Sequence, residues 1–243
     1  NAILVVAGDV EVDEVRALAE KHYGVLPSRD VPPRSHPQEP PSWAARELEM
    51  THEQATQPNW TRTWLAPSYQ HGRSEHAPAL QVLSEILGGG TTSRLYQKLV
   101  VEDGLAVSLS SWYRPQALGP ATFGVSITPS DGNIELLAEA VAQEIELLRR
   151  EGPSDQELSR AKRQLTASAI FVQDDISGLA NVVGSALASG RSIDDLRRWP
   201  SEIEAITAAD ISAAIDYVFR DNRAVTGRLL PAPESAASKE AGQ

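Results

Sequence analysis

The chain predicts an α+β fold in which helices pack on one face of a largely antiparallel sheet. Three observations lead there. Short runs at 55–66, 105–113, 121–127 and 224–230 carry apolar residues at strand spacing. The runs 105–113 and 121–127, joined by a stretch containing Pro and Gly, suit an antiparallel hairpin. Helical patterns come in blocks between the strands and do not alternate with them one by one, so helices and sheet segregate into layers.

Each element has a local reason. Residues 2–7 (AILVVA) are a continuous apolar run that reads as a buried strand, turned by Gly8-Asp9 into a helix over 13–22. That helix puts acids first and bases last, as its dipole prefers. One strand and one helix cannot close a core, so residues 1–27 read as the end piece of a preceding domain. Repeated prolines then make 28–56 a linker. Residues 57–231 form a second domain: a strand around Trp60 and Trp64, helices over 76–87 and 92–102, the hairpin, and helices over 134–150 and 154–172. Ser154 with Glu157 has capping-box spacing. Further helices follow over 176–189, 193–199 and 208–219, then a closing strand at 224–230. Residues 232–243 are small and polar and read as a disordered tail.

Composition narrows the function. The net charge of −11, from 33 acidic against 22 basic residues, argues against binding of a phosphate backbone. There are no cysteines, so disulfides, thiol nucleophiles and thiolate metal sites are all excluded. No run approaches the roughly 18 apolar residues that span a bilayer. The chain starts without Met, directly inside an apolar run, as an excised piece would. Cytoplasm and periplasm both stay open as compartments.

The most informative stretch is LGGGTTSRLY at 87–96, followed by LVVEDGLAV at 99–107. Gly88, Gly89 and Gly90 end a helix, and Thr91, Thr92 and Ser93 offer hydroxyls to cap the next. An ordered glycine triplet loses much backbone entropy on folding, so it points to a close backbone approach. Together with the helical segment around 164–174, and in this order and spacing, these motifs resemble the second half of the pitrilysin/insulinase-type zinc metallopeptidases. That group includes the mitochondrial processing peptidases.

The resemblance covers residues 1 to about 231 and implies a subunit of two similar α+β halves. The first half carries the zinc motif H-x-x-E-H, and residues 1–10 look like the strand that closes it. On this reading 1–27 is the terminal strand and helix of the zinc-bearing half, and 57–231 is the second, non-catalytic one. Many members use an Arg and a Tyr, spaced R-x-x-x-x-x-x-Y, from the second half to grip substrate beside zinc. Aligning Gly104-Leu105-Ala106 puts Val100 at the Arg position and Val107 at the Tyr position. Neither valine can donate a hydrogen bond.

The zinc motif itself is missing. The histidines are His22, His36, His52, His71 and His76. His71 and His76 flank Glu75, but five residues of helix turn them about 140° apart, whereas a zinc helix needs i and i+4. They read as a surface loop, and His52-Glu53 as a lone polar pair. Trp60, Trp64, Trp112 and Tyr113 can line a peptide groove or, more simply, pack the sheet. Asp174-Asp175 can be a carboxylate pair or a helix cap. Gly88, Gly89, Gly90, Ser93 and Arg94 are the candidate contacts to a substrate wall or to the opposite domain; for Arg94 an ordinary helix-surface role is the alternative.

The resulting expectation is the C-terminal, non-catalytic portion of a zinc metalloendopeptidase subunit, forming one wall of a peptide-binding chamber. Zinc is expected in the missing N-terminal domain. The expected partners are that domain, a peptide substrate and a second subunit carrying the Arg-Tyr pair; nucleic acid and a membrane span are not expected. The alternative is a non-catalytic scaffold or partner subunit of the same family.

Overall fold

The structure, a computed structural model, describes residues 2–27, 29–30, 44–130 and 133–232. Its centre is a five-stranded sheet in the order β1-β5-β2-β4-β3. The strands are β1 (Arg46–His52), β2 (Asn59–Ala66), β3 (Ala106–Tyr113), β4 (Ala121–Pro129) and β5 (Ala224–Pro231). Every neighbouring pair is antiparallel except β1 with β5. The helices are α1 (Val12–Tyr23), α2 (Ala77–Gly88), α3 (Ile134–Glu151), α4 (Asp155–Asp174), α5 (Ile176–Ala188), α6 (Ile193–Ala205) and α7 (Ala208–Val218).

Strand alternation decides which face is covered. Trp60 and Trp64 of β2 sit opposite Ile127 and Phe123 of β4, and all four are buried. Leu80, Leu83 and Leu87 of α2, Leu137 and Val141 of α3, and Ile211 and Ile215 of α7 complete one core. Phe219, just past α7, places its ring 4.7 Å from Trp64 and 4.9 Å from Phe123. The opposite sheet face carries hydroxyls at its centre and an aromatic ring beside them. Thr61 Oγ1 and Ser126 Oγ are 3.1 Å apart, and Trp112 lies across Gly124 where any Cβ would collide with its ring.

Capping sets the helix starts. Ser154, Ser192 and Thr207 each close a capping box, with Glu157, Asp195 and Asp210. Asp175 accepts from Ser177 N at 3.0 Å, so this half of the carboxylate pair caps α5.

Two expectations need correction. Residues 2–7 form no strand and pair with none of β1 to β5. They run beside α5, near Gly184, with Ile3, Leu4 and Val6 half exposed. Within the expected linker, residues 46–52 are not a connection but the edge strand β1, paired in parallel with β5. Its residues are exposed throughout, and the charged alternation RELEMTH suits a strand that must not recruit a further neighbour. The prolines at 31–43 and the tail at 233–243 lie outside the described residues.

Candidate functional site

The three glycines at the end of α2 do three different things. Gly88 lets the helix touch β3: a Cβ there would stand 2.5 Å from Ser111 N. A Cβ on Gly89 would stand 2.2 Å from the Glu85 carboxylate, whose own pKa is raised by burial. Gly90 has φ +129°, a conformation that side chains avoid. Ser93 Oγ then donates to the Gly90 carbonyl at 2.6 Å, and Gln164 Nε2 of α4 donates to the Gly89 carbonyl at 3.1 Å. The loop is therefore tied both to itself and to α4.

Arg94 opens the next helical segment and turns inward. Its Nε and Nη2 each donate to a Glu157 oxygen at 2.7 Å, a bidentate pair, and Nη1 lies 3.7 Å from Glu144. Both side chains of the pair are mostly covered, 16% and 15% exposed. Burial alone would raise the Glu157 carboxyl. Hydrogen bonds from Arg94 and Ser154 outweigh it and hold the group down at about 2. Glu144 moves the other way, raised by burial with Arg94 only partly compensating.

The pH consequence has a definite sign. Glu157 lowers the folded-state pKa, so its contribution is present above the ordinary value of 4.5 and is lost as pH falls through about 2. Glu144 opposes it, so the net loss is smaller than Glu157 alone would give. Urea unfolding between pH 5 and pH 2 checks this: Glu157→Gln is expected to show a shallower loss of stability across that window than the wild type.

Val100 and Val107 both sit on irregular backbone. Val100 belongs to the π-helix Tyr96–Glu102, where a regular helix was expected, and packs partly against the core. Val107 is the extra residue of a β-bulge: the register steps from Ala106 opposite Pro129 to Ser108 opposite Thr128, and Val107 is 55% exposed. Between them Gly104 turns the chain with φ +65°. π-Helices and bulges both re-aim side chains and recur beside functional sites.

A zinc ion does not fit these residues. Among the described residues no three His, Asp or Glu side chains gather into a metal-binding group. The His76 ring lies 5.2 Å from that of Tyr217, tilted by 30°, with its Nε2 buried and without a hydrogen-bond partner among the described residues, and His52 Nδ1 accepts from Gln54 N at 3.1 Å. His36 lies outside the described residues. Trp60, Trp64 and Tyr113 are core side chains, and Tyr113 donates to the Pro67 carbonyl at 2.5 Å. Among the described residues, no helix is long and apolar enough to cross a membrane. The partners of Arg94 were not visible in the sequence, since Glu157 is 63 residues away.

Comparison with known proteins places this geometry. A family model described as the peptidase M16 inactive domain matches residues 1–165. The zinc protease PqqE of Helicobacter pylori is 26% identical over 238 residues, covering 95% of this chain and 52% of that protein. An uncharacterized zinc protease of Streptomyces coelicolor is 31% identical over 156 residues, covering 62% of this chain and 33% of that protein. The chain thus spans about half, or less, of the length of these curated relatives. The crystal structure of a protease from Helicobacter pylori superposes with a TM-score of 0.83 at 22% identity, covering 93% of this chain and 54% of that one, which establishes the fold.

Proposed function

The chain belongs to the peptidase M16 family through its inactive domain, and we propose that it forms one wall of a peptide-binding chamber whose zinc is carried by a separate half. Residues 1–27 would then be the end of that preceding half. The observation that carries this reading is the pairing of a π-helix at Val100 with a bulge at Val107, on either side of the Gly104 turn. Two backbone irregularities fall at the two positions that the resemblance assigns to the substrate-gripping pair, and both side chains there are valine. Valines without donor groups at these positions support a division of labour with an Arg-Tyr-bearing partner subunit. The glycine loop and Ser93, next to this segment, are the proposed contacts of this wall with substrate or with the opposite half. Arg94 orders that loop from within through Glu157.

Two experiments test the reading. The 243-residue chain is expected to hold far less than one zinc per molecule after dialysis and to leave quenched peptides intact with zinc added. Stoichiometric zinc with chelator-sensitive turnover would overturn it. In the full-length subunit, Val100→Arg with Val107→Tyr is expected to restore turnover in the absence of a partner. One lost oxyanion-type donor typically costs about a hundredfold or more in rate, so even partial recovery is measurable. Tyr at the exposed bulge needs no burial, whereas Arg at position 100 must carry its charge out along its stem. Lower stability with no gain in turnover would mean that both valines are packing residues only. The same absence of donors favours a second reading, a scaffold subunit without chemistry; a full-length protein that binds no zinc would select it.

A further inference from the structure

Away from the glycine loop, α4, α5 and α6 enclose a groove of about 590 Å³. Leu165 and Val172 of α4, Leu179 and Val182 of α5, and Leu196 of α6 make its apolar walls. Arg191, at the turn before α6, lines it as well, although only 5% of this residue is exposed. A buried cation ordinarily meets an anion. Here Nη2 donates to the Asp195 carbonyl at 3.0 Å and the guanidinium stacks 3.8 Å above the Tyr69 ring. Among the described residues no carboxylate reaches Arg191 as an ion pair within 4.0 Å. The nearby Asp195 carboxylate is bonded by Ser192, at 2.8 Å, and paired with Arg198, and it feels Arg191 only at longer range.

The polar groups around Arg191 are fixed in place. Gln81 Oε1 accepts from Tyr69 Oη at 2.7 Å and from Trp199 Nε1 at 2.8 Å. Burial pushes the Tyr69 phenol up to about 12, so it remains a neutral donor. Pro200, in the middle of α6, has no N–H to give the Leu196 carbonyl one turn earlier, and both residues line the groove.

We propose that this groove binds the C-terminal residues of a peptide, with an apolar side chain between the three helices and the terminal carboxylate on Arg191. Charge complementarity selects the anion, and a planar guanidinium matches a carboxylate bidentately. The amide and hydroxyl groups of Gln81, Gln116 and Ser168, set among the apolar walls, suit a chain that alternates amides with side chains. A fatty acid would call for uniformly apolar walls. The site uses neither Val100 nor Val107, so it stands or falls independently of the chamber wall.

Calorimetric titration of the 243-residue chain tests it with four probes. These are an acetylated hexapeptide ending in Leu with a free carboxylate, its C-terminal amide, the same peptide ending in Asp, and dodecanoate. The free acid ending in Leu is expected to bind, and amidation to weaken it about tenfold or more. Ala169→Trp, which fills the groove from α4, is expected to abolish binding, and Arg191→Gln to erase the difference between acid and amide. Equal binding of acid and amide, tighter binding of dodecanoate than of the peptide, or no peptide binding at millimolar concentration would overturn the proposal. The comparison of acid with amide uses the unmutated chain, so it remains decisive even if a variant unfolds.

Discussion

Replacing Glu157 with alanine is expected to destabilise the fold by about 3–5 kcal/mol, the scale for breaking a covered ion pair from one side. The side chain has two roles at once. Its Oε2 accepts from Ser154 N and Oγ, both at 2.8 Å, which closes the capping box of α4. The same carboxylate takes both donors of Arg94 at 2.7 Å. Among the described residues, alanine leaves Arg94 with Glu144 at 3.7 Å as its ion-pair partner, in a place where water reaches it poorly. Loss of the cap alone is worth about 1 kcal/mol, so most of the effect must come from the stranded guanidinium. Urea unfolding of Arg94→Ala, Glu157→Ala and the double variant separates the two roles. The double variant should lose clearly less than the sum of the singles. A single-variant loss below about 1 kcal/mol would show that solvent screens the pair as it does at an open surface.

That pair marks where sequence reasoning stops. Ser154 and Glu157 sit three apart and announce a capping box, because capping is a local geometry that spacing alone encodes. Arg94 is brought to the same carboxylate by packing of α4 against the glycine loop, and no local pattern carries that information. The layered α+β fold was legible, with nearly every helix and strand from β2 to β5, since period and turn residues act within a few positions. β1 was missed because its alternation is short, with Leu48 and Met50 between Glu47 and Glu49, and prolines precede it. Residues 2–7 form no strand here, since an apolar run marks residues that favour burial but does not name the element they bury against. The Val107 bulge depends on the register of β4, and the Arg191 groove on three helices meeting, so neither was open to a reading of one segment at a time.

Gly88→Ala is expected to lower stability by about 2–3 kcal/mol, although helix propensity alone would favour alanine by about 1 kcal/mol. The new Cβ would lie 2.5 Å from Ser111 N, 2.7 Å from Ser111 Cβ and 3.1 Å from Ser110 C. Two of these atoms are backbone, and they belong to a strand fixed by its ladder to β4, where Ser111 faces Val125. They cannot swing aside, so α2 and β3 must separate and uncover part of the core. Gly89→Ala is the control. Its Cβ would meet the far end of the Glu85 side chain, which can rotate outward, so the loss should stay under about 1 kcal/mol. The order of the two variants in urea midpoint therefore tests the contact itself. A stabilised Gly88→Ala would mean that α2 does not press on β3. The same experiment bears on the candidate site, because β3 begins with the Val107 bulge. If the first glycine of the triplet sets how closely α2 holds β3, the variant should speed amide exchange along 106–113 while leaving α3 and α4 protected. The glycine motif would then act as the support that positions the neighbouring strand, and its link to function would run through β3 and not through direct contact with a ligand.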